Sequence, residues 1–373
     1  MLPSQPGKRR AGVILNYREK KIIKPLHIGD LEIPIPVIQA GMGVQVAKAK
    51  LAGAVSRSQA IGCISSVGLG SIAGSMSDYI NESNRHLEYE IRNARLIAPK
   101  GVLAVNVMVA ISNYDEIVKV CVQEKVDIII SGAGVPLKLP ELTAGSSIKL
   151  IPVISSARAA TVILKTWHRR YQRMPDAIII EGPLCGGHLA FTREQIAHPE
   201  GIPLSRILRE VHEVTAPYEA EYGRKIPFIG AEAICGYEDV LIMLKAGFDG
   251  VQVGTRFICS EESGIDPKSK EVYVKAGPED ITVIQSPLGM PLRVIRTPLV
   301  ERLLRGDKIK FGCPFRCLRS CDARAVKFCL ADAMVKTLYG DIDEGIFSTG
   351  CAIGRCNELI PAEEFFIPFH KNI

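Results

Sequence analysis

The sequence lacks the features that would place it in a membrane or outside the cell. Its longest notable apolar run, Val102 to Ile111, is interrupted by Asn106 and is far too short to span a bilayer. No basic, apolar and small-residue signal opens the chain: Pro3, Pro6 and Lys8-Arg9-Arg10 come first, and no long apolar core follows. Net positive charge is confined to the start. Residues 1–25 carry seven Lys and Arg against one Glu, which accounts for the whole net charge of +6 and leaves the remainder formally neutral. A basic tail can meet nucleic acid or an acidic membrane. With no aromatic platform or DNA-reading motif beside it, the plainer reading is a solvated arm lying on the fold. Internal repeats and low-complexity blocks are absent. The eleven cysteines form an odd number, which argues against a full disulfide framework, and neither paired C-x2-C zinc spacing nor ferredoxin spacing occurs. A soluble cytoplasmic protein with no membrane or nucleic-acid partner is the expectation.

What is present points to an α/β fold. The 373 residues, 47% hydrophobic and 23% charged, suffice for one barrel of roughly 250 residues and an appended region. Short apolar runs alternate with helix-compatible segments such as Lys48 to Ser58. The runs are Pro36–Ala40, Ile61–Ser65, Val102–Asn106, Val126–Ile130, Lys149–Ile154, Ala177–Glu181, Ile226–Gly230 and Gly250–Val253. Near-continuous apolar character suits parallel strands buried on both faces. Eight of them with helices between match a (β/α)8 TIM barrel better than an open sheet. Several runs end in Gly, Asn, Glu or Gln, which puts polar positions at the C-terminal mouth where barrels build their sites. Residues 66–100 and 189–225 read as insertions, either lid-like or surface decoration. The expected division is a basic arm over 1–25, the barrel over 26–290, and a helical, cysteine-rich extension over 291–373.

Two segments carry chemistry. In Ile180-Glu-Gly-Pro-Leu-Cys-Gly-Gly-His188 a strand ends in an acid, and a loop then presents a histidine beside Gly186 and Gly187. Glycines let backbone approach a flat ligand closely, and a histidine there can move protons near neutral pH. As a bare pattern it also fits a glycine turn with a surface histidine. In Gly250-Val-Gln-Val-Gly-Thr-Arg256 the last strand runs into a loop of the kind that holds a phosphate in barrels. Arg256 either adds charge there or pairs with a carboxylate behind the barrel.

Together these segments resemble the nitronate monooxygenase (2-nitropropane dioxygenase) family, which includes FMN-dependent enoyl-acyl-carrier-protein reductases. The matching pieces are Pro36 to Gly43, Leu51 to Ser56, Val105 to Met108, Ser131 to Gly134, Glu181 to His188, Ile226 to Ile229, Gly250 to Phe257 and Asp280 to Arg293. The resemblance runs from about residue 25 to 350. It implies an FMN barrel with the flavin ring over the strand ends. Gln39, Ala40, Gly41, Met42, Asn106, Glu181, Gly186 and Gly187 would contact the ring or ribityl chain. Ala233, Gln252, Val253, Gly254 and Thr255 would face the phosphate, and His188 would be the active-site histidine. A homodimer is the family-level expectation for assembly, and no metal is implied.

Two departures stand out. Where the family usually has Ala-Ala-Gly-Gly-Ile, this chain has Gly230-Ala-Glu-Ala-Ile234. Ala233 can offer its N–H to a phosphate if its φ is negative, whereas a Glu232 carboxylate close to a phosphate is repulsive unless it turns away. Ala190 also stands where glycine is frequent, which narrows the space beside the ring. In the tail, Cys313, Cys317 and Cys321 recur every four residues, followed by Cys329, Cys351 and Cys356. That spacing shares one face if the stretch is helical, which Pro314 opposes at its start. Buried or redox-active thiols are the economical reading and a metal or cluster the other. The resemblance implies oxidation of alkyl nitronates by FMN and O2 to a carbonyl compound and nitrite. The alternative is an NAD(P)H-dependent FMN reductase of an enoyl thioester or quinone. A barrel that has lost FMN and serves as a binding protein or a cysteine-based metal carrier is the third.

Overall fold

The computed structural model describes residues 23–71, 74–313 and 315–372. Most of the expected basic arm, residues 1–22, lies outside them. Eight parallel strands close into a barrel in sequence order. They are β1 (Val37–Gln39), β2 (Ile61–Ser65), β3 (Val102–Met108), β4 (Ile128–Gly132), β5 (Lys149–Ile154), β6 (Ile178–Glu181), β7 (Phe228–Ala231) and β8 (Gly250–Val253). Each pairs in parallel with the next, and β8 returns to β1. This is the (β/α)8 TIM barrel anticipated from the apolar runs.

Two periodicities build it. Along each strand alternate residues point in and out. The inward set, including Ile38, Ile61, Cys63, Ala104, Ile130, Ile179 and Ile229, fills the lumen. The outward set meets the surrounding helices. An antiparallel ribbon, Leu26–Ile28 paired with Leu31–Ile33, adds Leu26, Ile28 and Ile33 to the same core. The lumen is therefore packed rather than open, and ligands are confined to the strand ends.

The outer helices are α1 (Ala49–Arg57), α2 (Met76–Ile97), α3 (Tyr114–Gln123), α4 (Ala157–Tyr171), α5 (Leu204–Tyr222) and α6 (Tyr237–Lys245). The two stretches anticipated as insertions hold α2 and α5. Leu87, Ile91 and Ala94 of α2, with Ile207 and Val211 of α5, sit in the main outer core. Most of each stretch is therefore barrel wall. An amphipathic helix interrupted by many charged residues read as decoration because its buried positions are few.

Beyond the barrel come α7 (Pro267–Lys275), the hairpin β9 (Ile281–Gln285) and β10 (Pro291–Ile295), α8 (Pro298–Arg305) and α9 (Leu330–Leu338). The boundary placed near residue 290 falls inside that hairpin, whose strands pair from Ile281↔Ile295 to Gln285↔Pro291. Hairpin and helices share a core of Ile284, Leu292, Val294, Leu299, Val300, Phe328 and Leu330. The chain then returns to the barrel wall, where Phe365, Phe366 and Phe369 pack with Phe257 and Val251. Residues 315–321 do not form the helix that four-residue spacing allows. They lie as extended and turn structure against the β3–α3 connection, with Ser112 N–H donating to Cys317 O (3.0 Å) and Arg319 N–H to Ala110 O (2.8 Å). No described helix is long and apolar enough to cross a membrane.

Candidate active site

The strand ends open into a cavity of about 600 Å³. That lies within the range of about 300–1,000 Å³ usual for small-molecule and cofactor sites. Twelve of the fourteen anticipated site residues line it: Ala40, Gly41, Met42, Asn106, Glu181, Gly186, Gly187, His188, Ala233, Gln252, Gly254 and Thr255. Gln39 and Val253 do not. Strand alternation explains both, because Ile38 and Gln252 point inward and so their neighbours point outward. Val253 is buried in the wall with Val37 and Val251. The Gln39 amide carbonyl accepts from Cys63 N–H at 3.0 Å and stitches β1 to β2 beyond their single register pair. It shapes the site from behind.

Glycine is required at one wall of the cavity. A Cβ built on Gly41 would overlap the Cβ of Asn106, so the β1 loop presses directly on β3. The Asn106 amide makes no side-chain hydrogen bond to the described protein. Gly187, at φ +73, has open space where a Cβ would stand, whereas a Cβ built on Gly186 would stand 2.7 Å from Gly350 N. A flat ligand can lie on this floor.

His188 ends the loop in a two-residue strand, Gly187–His188, that pairs with β10 through Leu292. Its Nε2 is 3.0 Å from Ser286 Oγ, which also accepts from Leu288 N–H at 3.1 Å. Burial pushes the imidazole down to about 4, so it is neutral at pH 7. The loop before it is held by Arg293, buried under the turn and donating to the carbonyls of Cys185 and Pro183 (2.8 Å to the latter). Ser286 and Arg293 act about a hundred residues from their partners. Sequence spacing therefore gave no sign of their roles.

Two carboxyls stand at neighbouring strand ends, Glu181 beside Ala231 in register and Glu232 one residue beyond. Burial raises both to about 7. Glu232 turns toward the β6 loop, where a Cβ on Gly182 would overlap its Oε2, and that oxygen has no hydrogen-bond partner. This is the turned-away arrangement that the sequence left open.

At the opposite end, Ala233 adopts φ +51 rather than the negative φ assumed from sequence. The left-handed conformation explains why glycine is usual at this place in the motif. Its carbonyl accepts from Arg355 Nη2 at 2.6 Å, and Arg355 Nη1 holds Asp239 at 2.7 Å. Asp239 in turn caps Cys235 and Gly236 N–H at 2.7 and 3.0 Å. The N–H groups of Ala233 and Thr255 have no protein acceptor among the described residues, and so remain available to an anion. Thr255 Oγ1 accepts from Gly350 N–H at 3.0 Å. Arg256 belongs to neither alternative weighed for it, since its guanidinium is buried against the carbonyls of Cys259 and Glu358.

The nitronate monooxygenase family model matches residues 24–369, nearly all of the described chain. The chain belongs to the nitronate monooxygenase family. It is thereby an oxidoreductase of a flavin-using family. Relatives within that range act under different names. A (3aS,4S,5R,7aS)-5-hydroxy-7a-methyl-1-oxo-octahydro-1H-indene-4-carboxyl-CoA dehydrogenase of Mycobacterium tuberculosis is 25% identical over 74% of this chain and 67% of its own length. A probable nitronate monooxygenase of Staphylococcus haemolyticus is 24% identical over 73% of this chain and 78% of its own. Among solved structures, FabK from Thermotoga maritima superposes with a TM-score of 0.68 at 27% identity, covering 91% of this chain and 93% of that one. Family membership thus leaves the substrate open.

Proposed function

We propose that the protein is an FMN-dependent oxidoreductase whose substrate is uncharged at its reacting end, an enoyl thioester or quinone reduced at the expense of NAD(P)H. The observation that carries this reading is the charge of the cavity. Its lining contains no Lys or Arg; its carboxyls and imidazole are Glu181, Glu232 and His188, which burial shifts toward their neutral forms, and burial likewise keeps the phenols of Tyr79 and Tyr273 neutral. A nitronate would bring a full negative charge there with no cation to meet it, which is unfavourable in a low-dielectric site. One side of the mouth is apolar: Met108, Ile111, Val135, Leu288, Met290 and Leu318. Such a surface suits an acyl chain or quinone ring. The Mycobacterium relative, named for a carboxyl-CoA substrate, supports the same direction.

The residues present fit FMN. Gly41, Gly186 and Gly187 leave room for a flat ring, and the unpaired N–H groups of Ala233 and Thr255 suit its phosphate. Glu232, turned to Gly182 and held partly neutral by burial, opposes that phosphate less. When bound, FMN would supply the two-electron hydride chemistry that no protein side chain offers. His188 would orient the substrate through a neutral ring steadied by Ser286, and Asn106 would offer its free amide to the ribityl or ring edge. The apolar rim would exclude water.

The test is anaerobic. Purified protein is examined for bound FMN, then mixed separately with NADH, NADPH and an alkyl nitronate while the flavin absorbance near 450 nm is followed. Bleaching by a nicotinamide, with recovery on adding an enoyl thioester or quinone, is the expected result. Bleaching by nitronate alone would refute the proposal and restore the family's eponymous activity.

A further inference from the structure

His188 and Ser286 meet because one hairpin holds both. The strand Gly187–His188 pairs with β10 at Leu292, and Leu189 N–H donates to Pro291 O at 2.9 Å. The turn between β9 and β10 is closed by Ser286 N–H on Met290 O and by Gly289 N–H on Ser286 O, each at 3.0 Å. Gly289 takes φ +79 to complete it. Ser286 is thereby buried with its hydroxyl against the imidazole.

The hydroxyl has one proton to give and two lone pairs to receive with. One lone pair takes Leu288 N–H at 3.1 Å. Among the described residues the only other partner of Oγ is His188 Nε2, at 3.0 Å. Were Nε2 protonated, two N–H groups would point at Oγ and its own proton would have no acceptor. A buried donor left unpaired is costly. Pairing is complete only when Oγ–H donates to a bare Nε2. Burial pushes the ring down to about 4 and keeps it neutral, so its single proton then sits on Nδ1. Nδ1 meets no protein group among the described residues and is not walled off by them; it opens on the cavity that His188 lines.

We propose that Ser286 is a positioning residue that fixes His188 as the Nδ1–H tautomer, so that the histidine offers the cavity a hydrogen-bond donor and no base. The donor calls for an acceptor oxygen on the ligand. An imidazole whose free lone pair is spent on Ser286 cannot take a proton from a carbon acid, so deprotonation of a neutral nitroalkane by this residue is excluded. A carbonyl oxygen that gains negative charge as hydride reaches its conjugated carbon is the partner such a donor serves best. Naming that carbonyl as a thioester or quinone rests on the proposed function; the tautomer does not.

The full chain, labelled with 15N-histidine, is to be examined by long-range proton–nitrogen correlation near neutral pH. His188→Gln identifies the resonances among those of the seven histidines. The parent should show a protonated, pyrrole-type Nδ1 and a bare, pyridine-type Nε2 at His188. Ser286→Ala should move both toward the averaged shifts of a mixed population, and Ser286→Thr, which keeps the hydroxyl, should restore them. In FMN-loaded protein Ser286→Ala should slow reoxidation by an enoyl thioester or quinone by about 10-fold or more, short of the ~10²–10³ that loss of a whole oxyanion donor costs, and should slow bleaching by nicotinamide less. An Nε2–H ring or an imidazolium in the parent, or shifts that Ser286→Ala leaves unmoved, would overturn the proposal. If Ser286→Ala fails to fold, the parent spectrum still decides the tautomer. An Nδ1–H ring in a protein that no nicotinamide reduces would support the tautomer while removing the proposed function.

Discussion

Ala233 is one of six described non-glycine residues held at positive φ, and it is the one next to Glu232 at the mouth of the cavity. At φ +51 its Cβ crowds the following carbonyl, a cost of about 1–2 kcal/mol for an L-residue. Ala233→Gly removes that cost. Glycine also gains freedom in the unfolded chain, which opposes the benefit by about 0.5–1 kcal/mol. The backbone carbonyl that Arg355 grips is unchanged, so no hydrogen bond is lost. The net expectation is a stabilisation of about 0.5–1 kcal/mol. At an unfolding entropy of about 2.1 cal/mol/K per residue, a chain of 373 residues loses roughly 0.8 kcal/mol per degree near its midpoint. The predicted rise in Tm is therefore only ~1 °C, measurable by differential scanning calorimetry with replicate scans. Ala233→Val supplies the opposite arm, since a β-branched residue at positive φ is a genuine outlier, and Tm should fall below the parent. FMN affinity in Ala233→Gly should equal or exceed that of the parent, because the phosphate-facing N–H is kept. A destabilised Ala233→Gly, or an Ala233→Val as stable as the parent, would refute the left-handed assignment and the account of the glycine preference built on it.

Gly41→Ala should abolish flavin retention while leaving far-UV circular dichroism near the parent's, since the new Cβ meets Asn106 at the mouth and not in the lumen. Full cofactor occupancy would show that the loop moves freely. Glu181 and Glu232, raised from 4.5 to about 7, stabilise the fold fully below 4.5 and lose that contribution as pH rises through about 7. Tm of the apoprotein should thus decline between about pH 5 and pH 8, and less steeply in Glu181→Gln. His188 works in the reverse sense: below 6.5 the unfolded chain takes up a proton that the native ring refuses until about 4, so His188→Asn should raise Tm relative to the parent near about pH 5. Cys235 Sγ lies 3.0 Å from Cys356 Sγ, a contact that lowers its thiol to about 7. It should be the first barrel cysteine alkylated by iodoacetamide at about pH 7, as read by peptide mass mapping, and Cys356→Ala should slow it.

The barrel was legible because its strands are buried on both faces and are therefore nearly continuous apolar runs. Ile128, Ile129 and Ile130 admit no other reading once helices flank them. The same logic, carried to single residues, separates those that line the cavity from those behind it. Ile38 inward requires Gln39 outward, and Gln252 inward requires Val253 outward, so one of each adjacent pair had to be structural. Dihedral angles at irregular positions leave no trace in a single sequence, which is why the φ of Ala233 could enter there only as a condition. Long-range side-chain contacts are equally silent. Arg293 reaches carbonyls more than a hundred residues earlier, and Ser286 meets His188 across 98 positions. The periodicity of Cys313, Cys317 and Cys321 suggested a shared helix face, but pairing to residues 110–112 overrode it.

The two halves of the cavity have different origins, and that difference bears on how one family spans several substrates. The side proposed for the flavin is made of strand ends, Ala40, Asn106, Glu181 and Gln252, whose placement follows from closure of the barrel. The substrate side is made largely by residues after 280. Leu292 pairs with His188, Ser286 holds its ring, Thr349 and Gly350 pack on Gly186, and Leu318, Leu330 and Met334 form the far wall. His188 is carried by a barrel loop, yet its position and its protonation are set by the extension that packs against it. A substitution in β9 or β10 is therefore able to change which substrate fits without disturbing cofactor binding, whereas the same change at a strand end would compromise both.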